Sequence, residues 1–314
     1  MLRETRLMAH DGQHDLMVST PILENVLALA RETIEPLESL NQKAIDKLRD
    51  LVTIEGKVSS PMIETNQSVA HGVAWLATYT ESISQMVKWA ENLSKDKKFG
   101  HPEQLLLQIG VGEYLGQIVG GIMMSQGEIF RLTDIGLNTL DLSEFQTEAV
   151  RKLSSQGNTQ EARTQLVDIM LEHSANITVG DSGLDEDLEM IREQFRKFSI
   201  DRIEPYAHEW HLKDELIPLE VIAELAELGV FGLTIPEEYG GLGLSKASMA
   251  VVSEELSRGY IGVGSLGTRT EIAAELILCG GTEEQKKQWL PGLASGETLP
   301  TAVFTEPNTG SDLG

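Results

Sequence analysis

The sequence has few cysteines, basic residues and aromatic side chains, and it lacks a long apolar run. One cysteine in 314 residues excludes an intrachain disulfide framework and a cysteine-based zinc cluster, and it is typical of a reducing compartment. Lys and Arg number 25 against 49 Asp and Glu, a formal net charge of −24. No basic stripe is therefore present to bind nucleic acid or an anionic membrane. No apolar segment reaches the roughly 18 residues of a membrane span, and residues 1–16 are too polar for a signal peptide. We expect a cytoplasmic protein.

Helical periodicity is abundant in the first 180 residues. Apolar residues recur there at helical spacing, and no segment shows the alternation of a strand. The predicted helices span residues 18–34, 40–51, 66–93, 143–155 and 159–176, with a further helix beginning at Pro102. Residues 178–183 are small and turn-forming, which indicates a linker. Residues 1–180 are therefore predicted to be a helical N-terminal extension.

The second part of the chain is also predicted to be helical, so the fold class is all-α. The predicted helices span residues 185–208, 218–228, 245–258, 268–278 and 282–293. Ser245 is a predicted N-cap, and Thr282 with Gln285 predicts a capping box. A strand is predicted only at 299–304, and one strand cannot form a sheet. We therefore expect a helical domain over 183–298 and, over 299–314, the start of a β domain that is cut short.

Three patterns resemble functional motifs but have simpler interpretations. Residues 262–267 match G-x-G-x-x-G, yet no strand precedes them, so a turn between two helices is favoured over a dinucleotide site. His208 and His211 have metal-ligand spacing but no further ligands nearby, so no metal is expected. Cys279 lies on an apolar helical stripe, and core packing is favoured over a nucleophile.

Three further segments become specific when they are taken together. They read Ile235-Pro-Glu-Glu-Tyr-Gly-Gly-Leu-Gly243, then residues 281–297 beginning Gly-Thr-Glu-Glu-Gln, then Ala302-Val-Phe-Thr-Glu-Pro-Asn-Thr-Gly-Ser-Asp312. In this order and spacing they resemble the acyl-CoA dehydrogenase family over residues 183–314. The resemblance implies the all-helical N-terminal domain of that family, followed by the first strand and loop of its middle β domain.

The resemblance also implies a chemistry, which is FAD-dependent α,β-desaturation of an acyl-CoA thioester. Ala302, Phe304 and Thr305 would contact the flavin, and Ser311 would contact both the flavin surroundings and the thioester arm. Position 302 is often tyrosine in the family, and Ala302 offers only backbone groups. No catalytic residue is assigned within the chain, because the base glutamate of the family is expected downstream of residue 314.

The long helical extension resembles the methylsuccinyl-CoA dehydrogenase subgroup of this family. That subgroup implies oxidation of methylsuccinyl-CoA to mesaconyl-CoA in the ethylmalonyl-CoA pathway. The family also implies an electron-transfer flavoprotein as electron acceptor and a homo-oligomer.

Two alternatives remain open from the sequence. The first is a family member with another acyl specificity or a flavin oxidase, which reoxidation by oxygen rather than by an electron-transfer flavoprotein would identify. The second is a non-catalytic helical scaffold, which the absence of a downstream base would identify.

Overall fold

The computed structural model describes residues 21–172, 179–308 and 310, and most of them are helical. The chain divides between Gly183 and Leu184 into two units, called unit 1 and unit 2 below. No helix among the described residues is long and apolar enough to span a membrane. The all-α prediction is therefore confirmed for the described part of the chain.

Unit 1 contains eight α-helices within its described residues. They are α1 Val26–Glu32, α2 Ile34–Val52, α3 Ser60–Thr65, α4 Gln67–Lys95, α5 His101–Gly120, α6 Thr139–Phe145, α7 Glu148–Gln156 and α8 Gln160–Glu172. The prediction of α4 is confirmed to within two residues at each end. A single helix over 143–155 is wrong, because the chain breaks between α6 and α7. Thr147 accepts a hydrogen bond from the Val150 N–H there and begins a new helix as its N-cap.

Two short hairpins correct the expectation that unit 1 has no strands. Strand β1 (Thr53–Ile54) pairs with β2 (Lys57–Val58), and β3 (Ile122–Met123) pairs with β4 (Ile129–Phe130), both antiparallel. Each strand has two residues, which is too short to produce an alternating pattern in the sequence.

The core of unit 1 includes residues of both α4 and α5. Leu76 and Ile83 of α4 and Leu107 and Val111 of α5 are fully buried in it. Gln108 is a fully buried polar side chain of α5, and both its oxygen and its nitrogen form hydrogen bonds within unit 1. Its Oε1 accepts from the Leu23 N–H at 2.6 Å, and its Nε2 donates to the carbonyls of Pro21 and Gly157. A buried amide that is satisfied in this way ties three separate segments together.

Residues 179–183, at the C-terminal end of unit 1, are bound by Glu103, a buried residue in the first turn of α5. One carboxylate oxygen accepts from the Gly100 N–H at 2.9 Å, and the other accepts from the Asp181 N–H at 2.8 Å. The Trp89 indole donates to the Asp181 carbonyl at 3.2 Å, and Lys98 pairs with the Asp181 carboxylate. Residues 179–183 have no regular structure, as predicted for a linker, but side chains of α4 and α5 hold them in place.

Unit 2 contains six α-helices within its described residues. They are α9 Glu186–Phe198, α10 Glu204–Lys213, α11 Leu219–Glu227, α12 Lys246–Gly259, α13 Ile261–Gly280 and α14 Glu283–Ala294. The caps predicted at Ser245 and at Thr282 with Gln285 are confirmed: the Ser245 hydroxyl accepts from the Ser248 N–H, and Thr282 and Gln285 each accept from the backbone N–H of the other.

A single helix over 185–208 is wrong, because a π-helical turn at Ser199–Ile203 separates α9 from α10. Pro205 lies just after this turn. Proline has no N–H to donate to the carbonyl four residues earlier, and its ring crowds that carbonyl, so the regular α-helical hydrogen-bond pattern cannot continue through it.

A buried ion pair joins α9 to α12 in the core of unit 2. Arg196 donates two hydrogen bonds to Glu255, at 2.8 and 3.2 Å, and the Glu255 side chain is 1% exposed. The hydrogen bond to Glu255 raises the pKa of Arg196 above its usual value. Arg258 approaches the same carboxylate at 3.9 Å. The charge of Glu255 is thus compensated within the fold.

We expect Glu103→Gln to lower the free energy of unfolding of unit 1. Both carboxylate oxygens accept from backbone N–H groups, and the glutamine would place an NH₂ group against one of those donors, at a cost of about 1–3 kcal/mol. Residues 179–183 should then be cut faster in limited proteolysis. Glu38→Gln, on the exposed surface of α2, is the control and should change neither measurement. Unchanged proteolysis of Glu103→Gln would show that other contacts hold this segment.

We expect Arg196→Met to destabilise unit 2 strongly in urea unfolding. It leaves the buried Glu255 without its main partner, and breaking a buried pair from one side costs about 3–5 kcal/mol. Arg202→Met removes one partner of an exposed pair with Glu224 and should have little effect, because solvent already screens that pair. The double variant Arg196→Met/Glu255→Leu should recover much of the loss. Equal effects of the two single variants would contradict a special role for the buried pair.

Candidate functional site

The predicted flavin-contacting residues lie in an exposed segment that follows α14. Ala302, Phe304 and Thr305 all face solvent, and the Phe304 side chain is 51% exposed. The Thr305 hydroxyl has no hydrogen bond to another described residue. Ser311 lies outside the described residues. The structure therefore does not bring these residues together into a formed pocket.

The strand predicted at 299–304 is wrong for the described residues, which have no regular structure up to Thr305 and one bridge residue at Glu306. A strand is defined by hydrogen bonds to a neighbouring strand. The β-forming residues here have no such neighbour within the described chain, so their pattern does not produce a strand.

The other two segments that suggested the family do meet in unit 2. The loop over 235–243 folds back on the turn before it, since the Leu242 N–H donates to Gly232 O at 2.8 Å and the Gly243 N–H donates to Ile235 O at 2.9 Å. Ile235 then packs with Leu290 and Leu293 of α14 in a small core. This packing fixes the position of α14, and residues 299–305 follow α14 in the chain.

The glycines at 262–267 lie inside α13, so the prediction of a turn is wrong. A Cβ added at Gly264 would lie 2.0 Å from the Ser257 Oγ and 2.8 Å from the Ser257 backbone N. Any larger residue would push α13 away from α12. Gly264 therefore allows α12 and α13 to approach closely, and no dinucleotide-binding turn is formed.

Helix α13 carries apolar residues on two faces. Val263, Gly267 and Ala274 are buried against the rest of unit 2. On the outward face, Ile261 is 75% exposed and Leu276 is 62% exposed. A helix that is apolar on both sides is typical of one that is covered on both sides. The outward face of α13, together with residues 302–305, is the candidate functional surface of unit 2.

The remaining candidate residues do not form a site. Cys279 is exposed rather than packed in the core, because it falls on the outward face of α13. His208 and His211 are exposed on α10. No group of three or more potential metal ligands is found among the described residues. Glu255 was missed from the sequence as a buried charge; the signal that could have found it is its helical spacing of three and four residues from Val252 and Val251, which the exposed Glu254 does not share in full.

Comparison with known proteins places these features in a family. Residues 185–297 match the family model "Acyl-CoA dehydrogenase, N-terminal domain". The chain is 59% identical to (2S)-methylsuccinyl-CoA dehydrogenase of Cereibacter sphaeroides over 298 residues, which is 95% of this chain and 54% of the relative. It is 34% identical over 164 residues to mitochondrial isobutyryl-CoA dehydrogenase of Dictyostelium discoideum, which is 52% of this chain and 39% of that relative.

Among solved structures, a glutaryl-CoA dehydrogenase from Mycobacterium smegmatis in complex with FADH2 matches 41% of this chain and 33% of its own, with 33% identity and a TM-score of 0.39. The chain spans about half the length of the first of these relatives. Residues 185–297 are an acyl-CoA dehydrogenase N-terminal domain, and the chain belongs to the acyl-CoA dehydrogenase family.

Proposed function

We propose that this chain is part of a FAD-dependent dehydrogenase that oxidises methylsuccinyl-CoA to mesaconyl-CoA, a step of the ethylmalonyl-CoA pathway. The observation that carries the proposal is the 59% identity to a methylsuccinyl-CoA dehydrogenase over 95% of the chain. A match of that length includes most of unit 1, whereas the match to isobutyryl-CoA dehydrogenase covers 52% of the chain. The helical extension therefore supports this substrate over others in the family.

The proposed reaction removes a proton from the α carbon and a hydride from the β carbon of the thioester. FAD, when bound, supplies the acceptor for that hydride. A carboxylate must take the proton, and we assign no residue of this chain to that task. Glu255 is unsuited to it, because its charge is buried and already bonded to Arg196.

The residues after α14 have the chemistry that a flavin ring requires. The Thr305 hydroxyl is free to donate, and the exposed Phe304 offers an apolar surface. Backbone N–H groups of the segment, including that of Ala302, are further donors. We propose that Ala302, Phe304 and Thr305 bind the flavin and that Ser311 binds flavin and the thioester arm. Polar donors beside an apolar wall are the usual composition of such sites.

An electron-transfer flavoprotein as acceptor, assembly as a homo-oligomer and a cytoplasmic location complete the proposal. These three parts rest on the family and on the composition of the chain.

In the full-length enzyme, we expect Thr305→Ala to weaken the binding of FAD. Loss of one hydrogen bond costs about 1 kcal/mol, or roughly a fivefold rise in the dissociation constant of FAD. The measurement is flavin content after dialysis together with the flavin absorbance spectrum. Thr301→Ala, four residues earlier in the same exposed segment, is the matched control and should leave both unchanged. Wild-type flavin content and spectrum in Thr305→Ala would remove Thr305 from the flavin site.

Residues 1–314 expressed alone are expected to purify without flavin and without dehydrogenase activity. In that fragment the candidate residues face water, and hydrogen bonds to a ligand would compete with solvent and gain little free energy. The preparation should be colourless and should not reduce an artificial acceptor with methylsuccinyl-CoA. A yellow fragment with stoichiometric FAD would show that the helical units bind the cofactor without further chain.

A further inference from the structure

The two hairpins of unit 1 lie at the same end of its helices, where α4 begins. Phe130 of β4 packs on Gly72 in the second turn of α4, since a Cβ atom at Gly72 would lie 2.1 Å from the Phe130 Cδ2 atom. Arg31, in the last turn of α1, pairs with Glu91 near the end of α4. Helix α2 follows α1, packs along α4 and therefore ends, with the β1–β2 hairpin, near the beginning of α4.

Both hairpins expose apolar side chains at this end. In the β3–β4 hairpin, Ile122 lies opposite Phe130 and both are buried, whereas Met123 lies opposite Ile129 and both are exposed. A strand pair that is apolar on both sides is typical of one that is covered on both sides. We call the exposed apolar residues of the two hairpins and of the adjoining helix ends the hairpin face: Leu51, Ile54, Val58, Val119, Met123 and Ile129.

The β1–β2 hairpin is held in one geometry by its turn. The φ angles of Glu55 and Gly56 are 49° and 78°, so both central residues of the two-residue turn are left-handed. This turn type matches the twist of the two strands, and a glutamate adopts it only at a cost because of its Cβ atom. The turn fixes Ile54 opposite Lys57. A preformed surface of this kind loses little conformational freedom when it binds a partner.

The hairpin face has the size of an interaction surface. At exposed fractions of 41–66%, its six residues leave roughly 500 Å² in water, which is near the upper end of the largest apolar patch on a typical monomer. A standard interface buries about 800 Å² on each partner. The six apolar residues and the polar residues between them supply an area of that order.

The charges of the hairpin face cancel. Residues 51–58 carry Glu55 and Lys57, and residues 119–131 carry Glu128 and Arg131, whereas the whole chain has a net charge of −24. None of the four forms an ion pair with another described residue. Two copies of so acidic a chain repel each other on average, and a face without net charge is where they approach at the lowest cost.

We propose that the hairpin face binds the hairpin face of a second copy of this chain about a twofold axis. The β1–β2 hairpin of one copy contacts the β3–β4 hairpin of the other, so that Lys57 faces Glu128 of the partner subunit and Glu55 faces Arg131 of the partner subunit. A twofold axis repeats each of these pairs once. The inference assigns a surface to the homo-oligomer proposed above and is independent of the proposed substrate.

The first test is the dissociation constant of the dimer of the 314-residue chain, measured by sedimentation equilibrium. We expect a value on the order of 10 μM for the wild type. Met123→Glu buries a charge at the contact and should raise this value by at least about tenfold. Leu140→Glu on α6 and Leu276→Glu on α13 alter exposed leucines outside the hairpin face and should leave it unchanged. A monomeric wild type, or a dimer that only Leu276→Glu dissociates, would overturn the inference.

The second test exchanges the charges across the contact. Lys57→Glu and Glu128→Lys each place like charges opposite each other at two positions, and each should raise the dissociation constant by roughly tenfold. The double variant Lys57→Glu/Glu128→Lys restores opposite charges and should return the constant to within about threefold of wild type. Losses that add in the double variant would rule out the contact between the two hairpins.

The third test asks whether the full-length enzyme uses the same face. In a Cys279→Ser background, Ile54→Cys/Met123→Cys should form a disulfide-linked dimer on mild oxidation, visible on a non-reducing gel, and each single cysteine variant should form much less. An oligomeric enzyme without this cross-link would show that downstream chain covers the hairpin face. That result would overturn the inference and leave the proposed homo-oligomer intact.

Discussion

The close approach of α12 and α13 determines which surface unit 2 can offer to a ligand. At Gly264 there is no room for a Cβ atom, because Ser257 of α12 occupies that space. This contact sets the rotation of α13 about its own axis. Val263, Gly267 and Ala274 consequently point into the unit, and Ile261, Ile272 and Leu276 point out of it. A bulky residue at position 264 would separate the helices and disturb the outward face as well as the core.

The two carboxylates that are buried among the described residues, Glu103 and Glu255, are stabilised in different ways. Glu103 lies at the beginning of α5 and accepts from two backbone N–H groups, where the helix dipole also favours a negative charge. Glu255 lies within α12, where the backbone N–H groups are already bonded, so its charge is balanced by the side chain of Arg196. The first carboxylate holds the end of unit 1, and the second joins two helices of unit 2. Both are therefore occupied by structural tasks, which leaves them poorly suited to proton transfer.

Local patterns in the sequence predicted the features that depend on neighbouring residues. The capping box of Thr282 with Gln285 and the length of α4 follow from side chains within a few positions of each other. Pro205 is a local signal for the π-helical turn, but the apolar residues around it continue at helical spacing, so the sequence pattern predicts one uninterrupted helix. The hairpins were too short to produce a pattern, and the hold of Glu103 on Asp181 joins residues 78 positions apart. Contacts between residues so far apart in sequence depend on tertiary packing, which the spacing of residues along the sequence does not predict.

The candidate site shows the same division. The order of three segments indicated the family, and yet it did not show that two of them pack together while the third lies exposed. Cys279 was expected in the core because its neighbours are apolar. Since α13 is apolar on both sides, that pattern could not distinguish the inward face from the outward one. The packing of α13 on α12 and α14 makes this distinction.

The net charge of the chain does not prevent its outward face from binding an anion. At physiological ionic strength the Debye length is about 8 Å, so most of the 49 acidic residues are screened from any one point on the surface. The charges that remain effective are those nearby. Glu271 lies on the other side of α13 from Arg269, Glu271 and Glu275 both pair with Lys246, and the positions three and four residues from Arg269 carry no acid. A strongly acidic chain can therefore carry a locally positive point, surrounded by apolar side chains, on one helix face.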